Sequence, residues 1–264
     1  MIFLKTEDEI ELLRESNQLV GKTLAELARY ISPGVTTIQL DQIAESFIRD
    51  HGAEPTFKGF PNQNGKPFPA SICTSINEVV VHGIPDNQTL IEGDIVSIDC
   101  GVKLNGFCGD SAYTFAVGQI SSEKQQLLDI TKEALYNGIN AARVGNRIGD
   151  IGHAVQSLCE ENGYGVLRAF TGHGIGKEMH EDPFVPNFGK KGTREQLLVG
   201  LCIAIEPMVT LGNRNIKLLA DDWTVATKDG KPAAHFEHTI AITHSGPTIL
   251  SSFEELEKII REKA

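Results

Sequence analysis

A single shift of 111 residues lays one part of this 264-residue chain over another. It carries Gly34 onto Gly145, Leu40 onto Ile151, Ala44 onto Val155, Phe47 onto Leu158 and Gly52 onto Gly163, without a gap. Apolar residues at helical spacing between two matched glycines read as one helix written twice. The alternative is two unrelated α+β lobes whose amphipathic helices merely share a period. A true repeat restricts the fold to two similar halves, about 6–118 and 122–243, within one domain spanning 1–264.

The elements around the repeat agree with that division. Thr6 followed by Glu9 is a capping box, and Ile10, Leu13, Val20, Leu24 and Leu27 follow at helical period until Pro33-Gly34. A second helix carries Ile38, Leu40, Ile43, Ala44, Phe47 and Ile48 and closes near Gly52. The stretch Gly59 to Pro69, rich in Gly, Pro and Asn, reads as a loop. Strand-like runs at about 94–100 and 111–117 form an antiparallel ribbon around a turn between Lys103 and Gly109. A second helix pair then begins at Ser122 and runs to Gly163. Asp229-Gly230 marks a turn, Phe236 to Thr243 returns as a strand, and Ser252 to Glu262 is a terminal helix.

Each half places acids in its strands. Asp99 ends the run Asp94-Ile-Val-Ser-Ile-Asp, and Asp110 follows eleven residues later. Glu206 ends the apolar run Leu201-Cys-Ile-Ala-Ile and stands directly before Pro207, while Glu237 lies among Ala, Phe and Ile. A carboxylate in apolar surroundings is costly unless it is paired or binds a metal. As bland readings, Asp110 is a turn cap and Glu206 a solvent-facing strand end. His173 stands between glycines in Thr171-Gly-His-Gly-Ile-Gly, where the backbone leaves the imidazole free to enter a cavity. The segment lacks the glycine spacing of a dinucleotide loop. Four carboxylates and one imidazole suit two hard divalent ions that share ligands, which points to hydrolysis by metal-activated water. His82 at a tight turn and His180, before Glu181-Asp182-Pro183, are candidate polar or acid–base groups. These residues define a dinuclear hydrolase and no substrate.

Composition narrows the field. A formal charge of -11 with no long Lys/Arg run argues against a direct nucleic-acid function. Five cysteines, odd in number and without C-x-x-C, predict reduced thiols in a cytoplasmic protein, although Cys73 could line a pocket. Met1 to Leu4 followed by Lys5, Thr6 and three acids does not have the form of a signal peptide, and no segment approaches a membrane span.

Taken together, Asn77-Glu-Val-Val-Val-His-Gly-Ile-Pro85, Ser97-Ile-Asp-Cys-Gly101, Gly106-Phe-Cys-Gly-Asp110, Thr171-Gly-His-Gly-Ile-Gly176, His180-Glu-Asp-Pro183, Ile205-Glu-Pro-Met208 and Phe236-Glu-His-Thr239 carry a resemblance. In this order and spacing they resemble the bacterial-type (type I) methionine aminopeptidases of the M24 metallopeptidases, over nearly the whole chain. The resemblance implies an α/β (α+β) pita-bread fold, with two pseudo-symmetric halves and a central curved antiparallel sheet covered by helices. It implies Asp99, Asp110, His173, Glu206 and Glu237 as ligands of two divalent ions (cobalt, manganese or iron, with zinc an option). It gives His82 and His180 as substrate contacts and catalytic groups, and Glu206 as proton shuttle. Phe68, Cys73, Met179 and Trp223 are expected to form the methionine pocket.

The implied reaction removes N-terminal methionine before a small second residue, from a deformylated N-terminus. Expected partners are nascent polypeptide N-termini, with transient ribosome association, and the expected state is a monomer. Only 25 residues separate His180 from Glu206, so the helical insertion of the type II enzymes is absent. Because the first helix follows almost directly on Met1, neither the zinc-finger extension of some type I forms nor the additional N-terminal domain of proline-specific relatives is expected. The stretch Phe60 to Pro69 is longer than in the shortest bacterial members, and Met179 stands where some relatives carry an aromatic. A peptidase of different specificity and a non-hydrolytic binding protein on the same fold are the competing functions. The full set of five ligands and two histidines argues against the second.

Overall fold

The computed structural model describes residues 1–62 and 65–263. Helices α1 (Glu7–Tyr30) and α2 (Thr37–Asp50) lead into β1 (Glu54–Pro55), β2 (Ile72–Ile76) and β3 (Val79–Val81). A long hairpin of β4 (Ile95–Leu104) and β5 (Phe107–Ala116) completes the first half. Helices α3 (Ser122–Ala141) and α4 (Ile148–Glu161) open the second, before β6 (Gly165–Val166), β7 (Gly172–Gly174), β8 (Glu181–Val185) and β9 (Cys202–Ile205). The chain continues through β10 (Met208–Thr210), β11 (Ile216–Leu218), β12 (Val225–Thr227) and β13 (Ala233–His235). It closes with β14 (His238–Thr243), β15 (Gly246–Ile249) and α5 (Glu254–Lys263).

The repeat is visible in the helices. Both α2 and α4 have 14 residues and occupy equivalent positions under the same shift. The glycines before them, Gly34 and Gly145, have φ of 101° and 95°, and those after them, Gly52 and Gly163, have 74° and 80°. All four lie in the left-handed region that glycine enters at no steric cost, which is why the repeat kept glycine there. The capping box at the start of α1 is present, with Glu9 N donating to Thr6 Oγ1 at 3.3 Å and Thr6 N to Glu9 Oε2 at 3.0 Å.

All strand ladders are antiparallel, and they divide into four sheets among the described residues. The first half centres on β4, flanked by β5 along its length and by β2 and β1 on its other edge. The second centres on β15-β14-β9-β7-β8. One apolar cluster runs through both halves, from Leu24 and Leu27 through Ile98 and Phe115 to Leu135, Val155, Ile205 and Ile240. The five cysteines are buried and unpaired. No helix among the described residues is long and apolar enough to cross a membrane.

Two strand expectations are corrected. The ribbon extends further than 94–100 and 111–117, because Asn105 and Gly106 take φ of 52° and 83° and form the two-residue turn of a tight hairpin. The strand expected over Phe236 to Thr243 is broken. β13 ends at His235 and β14 starts at His238, opposite a matching break at Glu206-Pro207 between β9 and β10. Pro207 has no N–H to give the ladder, so pairing lapses there in both strands. Register survives the gap, with Ile205 facing His238 on one side and Met208 facing His235 on the other. Glu206 and Glu237 therefore stand opposite each other in the interruption. The loop read over Gly59 to Pro69 includes residues 63 and 64, which lie outside the described residues.

Candidate metal centre and substrate cavity

The two halves deliver one carboxylate pair each to a cavity of about 200 Å³. On β4 and β5, Asp99 faces Ala112 and Asp110 faces Gly101, so the acids are diagonal neighbours across the hairpin. From the second half come Glu206 and Glu237. Asp110 and Glu237 are 4 % and 2 % exposed. His173 reaches the same space from β7, with Nε2 3.6 Å from Asp110 Oδ2 and 3.7 Å from Glu206 Oε1. One ligand atom each from Asp110, His173 and Glu237 lies within 4.8 Å of the others. His173 Nδ1 is 2.9 Å from Gly174 O, a bond that places its proton there and leaves the Nε2 lone pair facing the acids.

The halves are fastened together at this point. Ser111 Oγ donates to Glu237 O at 2.6 Å, Glu237 N donates to Ala112 O at 2.9 Å, and Thr239 Oγ1 donates to Asp110 O at 2.9 Å. Asn17 Oδ1 accepts from Asp110 N at 3.2 Å, and Asn187 Nδ2 donates to Glu206 O at 2.9 Å. Main chain on both sides of the acid cluster is thus held by buried side chains, and the ligands inherit that rigidity.

Such a cluster is unstable without positive charge. Asp99 Oδ1, Asp110 Oδ1 and Glu237 Oε1 are buried with no hydrogen-bond partner. Burial, followed by repulsion from neighbouring acids, pushes the Asp99, Glu206 and Glu237 carboxyls well above the ordinary range, and burial does the same to Asp110. Burial also drives His173 down to about 4, so it is neutral and able to bind a cation at neutral pH. Orphaned carboxylate oxygens around a neutral imidazole fit divalent cations, because metal coordination supplies both the charge and the missing partners.

The remaining expected residues separate into two groups. His82 lines the cavity at φ 58°, a left-handed conformation uncommon outside glycine. Its ring stands edge-on to Phe170 at 5.3 Å, and burial, then His180, lowers it to about 4. His180 is an exposed residue, its ring placed between His173 at 4.4 Å and Phe60 at 5.3 Å. Phe68, Cys73 and Trp223 line the apolar side. Cys73 faces Asp99 across β2 and β4, and Phe68 meets Trp223 edge-on at 5.2 Å. Met179 does not reach the cavity. It is buried over Gly101 and beside Phe107, Cys108 and Ile175, with Thr56 Oγ1 3.8 Å from its sulfur. Phe57, Phe60, Phe170, Met208 and His235 also line the site and were not among the expected residues. For His235 a signal existed, since it stands two residues before Glu237 on the same strand face.

This geometry defines a candidate metal centre with an adjoining apolar pocket, and comparison with known proteins identifies its class. The model of metallopeptidase family M24 matches residues 11–244. The chain is 51% identical over 255 residues to a methionine aminopeptidase of Clostridium acetobutylicum, covering 96% of this chain and 100% of that one. It is 50% identical to methionine aminopeptidase 1 of Bacillus subtilis, covering 95% and 99%. The crystal structure of methionine aminopeptidase from Rickettsia prowazekii superposes with a TM-score of 0.91 at 40% identity, over 96% of this chain and 100% of that one. The chain belongs to metallopeptidase family M24 and, within it, to the bacterial-type methionine aminopeptidases.

Proposed function

We propose that this protein removes the initiator methionine from peptides and nascent polypeptides whose second residue is small and whose first amine carries no formyl group. The observation that carries this reading is the junction of five ligand groups, with Asp110, His173 and Glu237 buried, and a small apolar pocket. Asp99, Asp110, His173, Glu206 and Glu237 would hold two divalent ions. When bound, the ions lower the pKa of water and stabilise negative charge developing on the peptide carbonyl.

The chain's own groups divide the other tasks. Phe68, Cys73 and Trp223 take the methionine side chain, and the free α-amine lies on the side of Asp99. A formyl cap turns that amine into an amide and removes its basic lone pair, so deformylation comes first. Neutral His180 donates a hydrogen bond to the substrate carbonyl, and His82 contacts the scissile amide nitrogen. Glu206 takes a proton from the attacking water and passes it to the leaving amine. Oxygen donors with one imidazole suit manganese, iron or cobalt, and they accept zinc. The protein acts on chains leaving the ribosome in the cytoplasm, as a monomer.

The test is hydrolysis of Met-Ala-Ser beside Ala-Ala-Ser, a Met-Pro peptide and formyl-Met-Ala-Ser, with Glu206→Gln as control. Rapid cleavage of Met-Ala-Ser, little of formyl-Met-Ala-Ser and loss of activity in Glu206→Gln are expected. Equal cleavage of Ala-Ala-Ser would establish a different specificity, and full activity in Glu206→Gln would remove its proton-transfer role.

A further inference from the structure

His235 presents a polar atom to the cavity that no role above uses. The residue is 2 % exposed, and Nε2 has no hydrogen-bond partner. Leaving a buried polar atom without a partner is costly. Across the cavity, Glu206 Oε2 lies 3.6 Å from it, while Glu206 Oε1 is 3.7 Å from His173 Nε2. One oxygen of this carboxylate thus faces the ligand cluster and the other faces His235.

The backbone beneath His235 is locked. Thr114 Oγ1 accepts from His235 N at 2.9 Å and donates to His235 O at 2.7 Å, with Ser97 Oγ 2.8 Å from the same hydroxyl. Register places His235 opposite Met208, one step along the same strand face from the Glu206–Glu237 pair. The two imidazoles beside Glu206 are not equivalent. His173 has its proton fixed on Nδ1 by Gly174, whereas His235 is free to carry its proton on Nε2.

From this geometry we infer that His235 is a positioning residue for Glu206, resting on the proton-transfer role proposed for that carboxylate. Its Nε2–H donates to Glu206 Oε2 and keeps Oε1 turned toward His173. Closing the present gap to hydrogen-bond length takes a movement of less than about 1 Å. Without that donor the carboxylate can rotate, and turnover suffers while methionine binding does not.

The experiment compares His235→Leu and His235→Gln by kcat and KM on Met-Ala-Ser, and by Mn²⁺ titration calorimetry in the Glu206 and Glu206→Gln backgrounds. Groups that orient metal ligands are typically worth about 10–100-fold, so His235→Leu is expected to lower kcat by at least about 10-fold with KM changed less than about threefold. His235→Gln keeps an N–H donor and recovers most of that loss. In calorimetry, His235→Leu weakens Mn²⁺ binding in the Glu206 chain and has little further effect in Glu206→Gln, because coupled residues are not additive. Unchanged kcat in His235→Leu, a fall in KM-limited binding alone, no recovery by Gln, or equal Mn²⁺ losses in both backgrounds would overturn the inference. If the metal-loaded wild-type chain fails to cleave Met-Ala-Ser, the aminopeptidase reading fails instead. The Mn²⁺ cycle then decides the His235–Glu206 coupling by itself.

Discussion

Ser111 Oγ donates to the main-chain carbonyl of Glu237 across 2.6 Å, fastening a ligand-bearing strand of the first half to one of the second. Replacing Ser111 by Ala leaves that buried carbonyl short of its donor, at a cost of about 1–3 kcal/mol. Urea unfolding of Ser111→Ala should show that loss, and Mn²⁺ titration should show weaker binding. A variant with wild-type midpoint and wild-type Mn²⁺ affinity would mean that the halves are held elsewhere.

The glycines around His173 answer to backbone crowding. A Cβ at Gly174 would stand 2.1 Å from Asp182 O, and one at Gly172 would stand 2.3 Å from Ala204 O. Strand β7 lies between β8 and β9 too closely for a methyl group. Gly174→Ala should cost at least about 1–3 kcal/mol and displace His173 from the acids. The checks are the melting temperature and the bound Mn²⁺. Retention of both would show that β8 yields easily.

Trp223 is tied to the opposite rim, its indole Nε1 donating to Lys66 O at 2.8 Å while its ring meets Phe68. Truncation to Ala removes apolar surface from the methionine pocket and releases the rim. KM for Met-Ala-Ser should rise about tenfold, as expected for about 1.4 kcal/mol of lost apolar contact, with kcat changing far less. Steady-state kinetics with KM unmoved would take Trp223 out of the pocket.

The raised carboxyls give the metal-free chain an unusual pH response. Asp99, Asp110, Glu206 and Glu237 have folded-state pKa values above their unfolded ones, so the folded state binds more protons. Their contribution to stability is fully present below the ordinary carboxylate pKa near 4 and is lost as pH rises through the folded values. The neutral histidines work in the other direction: His82 and His173, lowered to about 4, lose stability as pH falls from 6.5 toward that value. Protons compete with cations for the same carboxylate oxygens. The rise in melting temperature on adding Mn²⁺ to chelator-treated protein should therefore be larger at pH 8 than at pH 6. An equal rise at both would indicate that the four acids are already ionised at pH 6.

Local signals made much of this legible in sequence. Gly34 and Gly52, with their counterparts, mark helix ends by a conformation that glycine alone adopts cheaply, and that signal survives without tertiary information. The buried acids stood out because carboxylates inside apolar runs need a compensating charge. The break that sets Glu206 opposite Glu237 was not visible, since Pro207 interrupts the ladder of a strand some thirty residues away. Met179 was misplaced for a different reason. It lies in the bend between β7 and β8, where no strand period announces which way a side chain turns. Phe57, Phe60 and Phe170 reach the cavity from outside regular strands, where no periodicity announces their direction.

Metal analysis of protein purified anaerobically without added metal, paired with Met-Ala-Ser hydrolysis during stepwise reconstitution, tests the central claim most directly. The account predicts up to two divalent ions per chain, activity restored with loading, and both bound metal and activity diminished by Asp110→Asn or Glu237→Gln. Cleavage of Met-Ala-Ser that persists in fully chelated protein would contradict it.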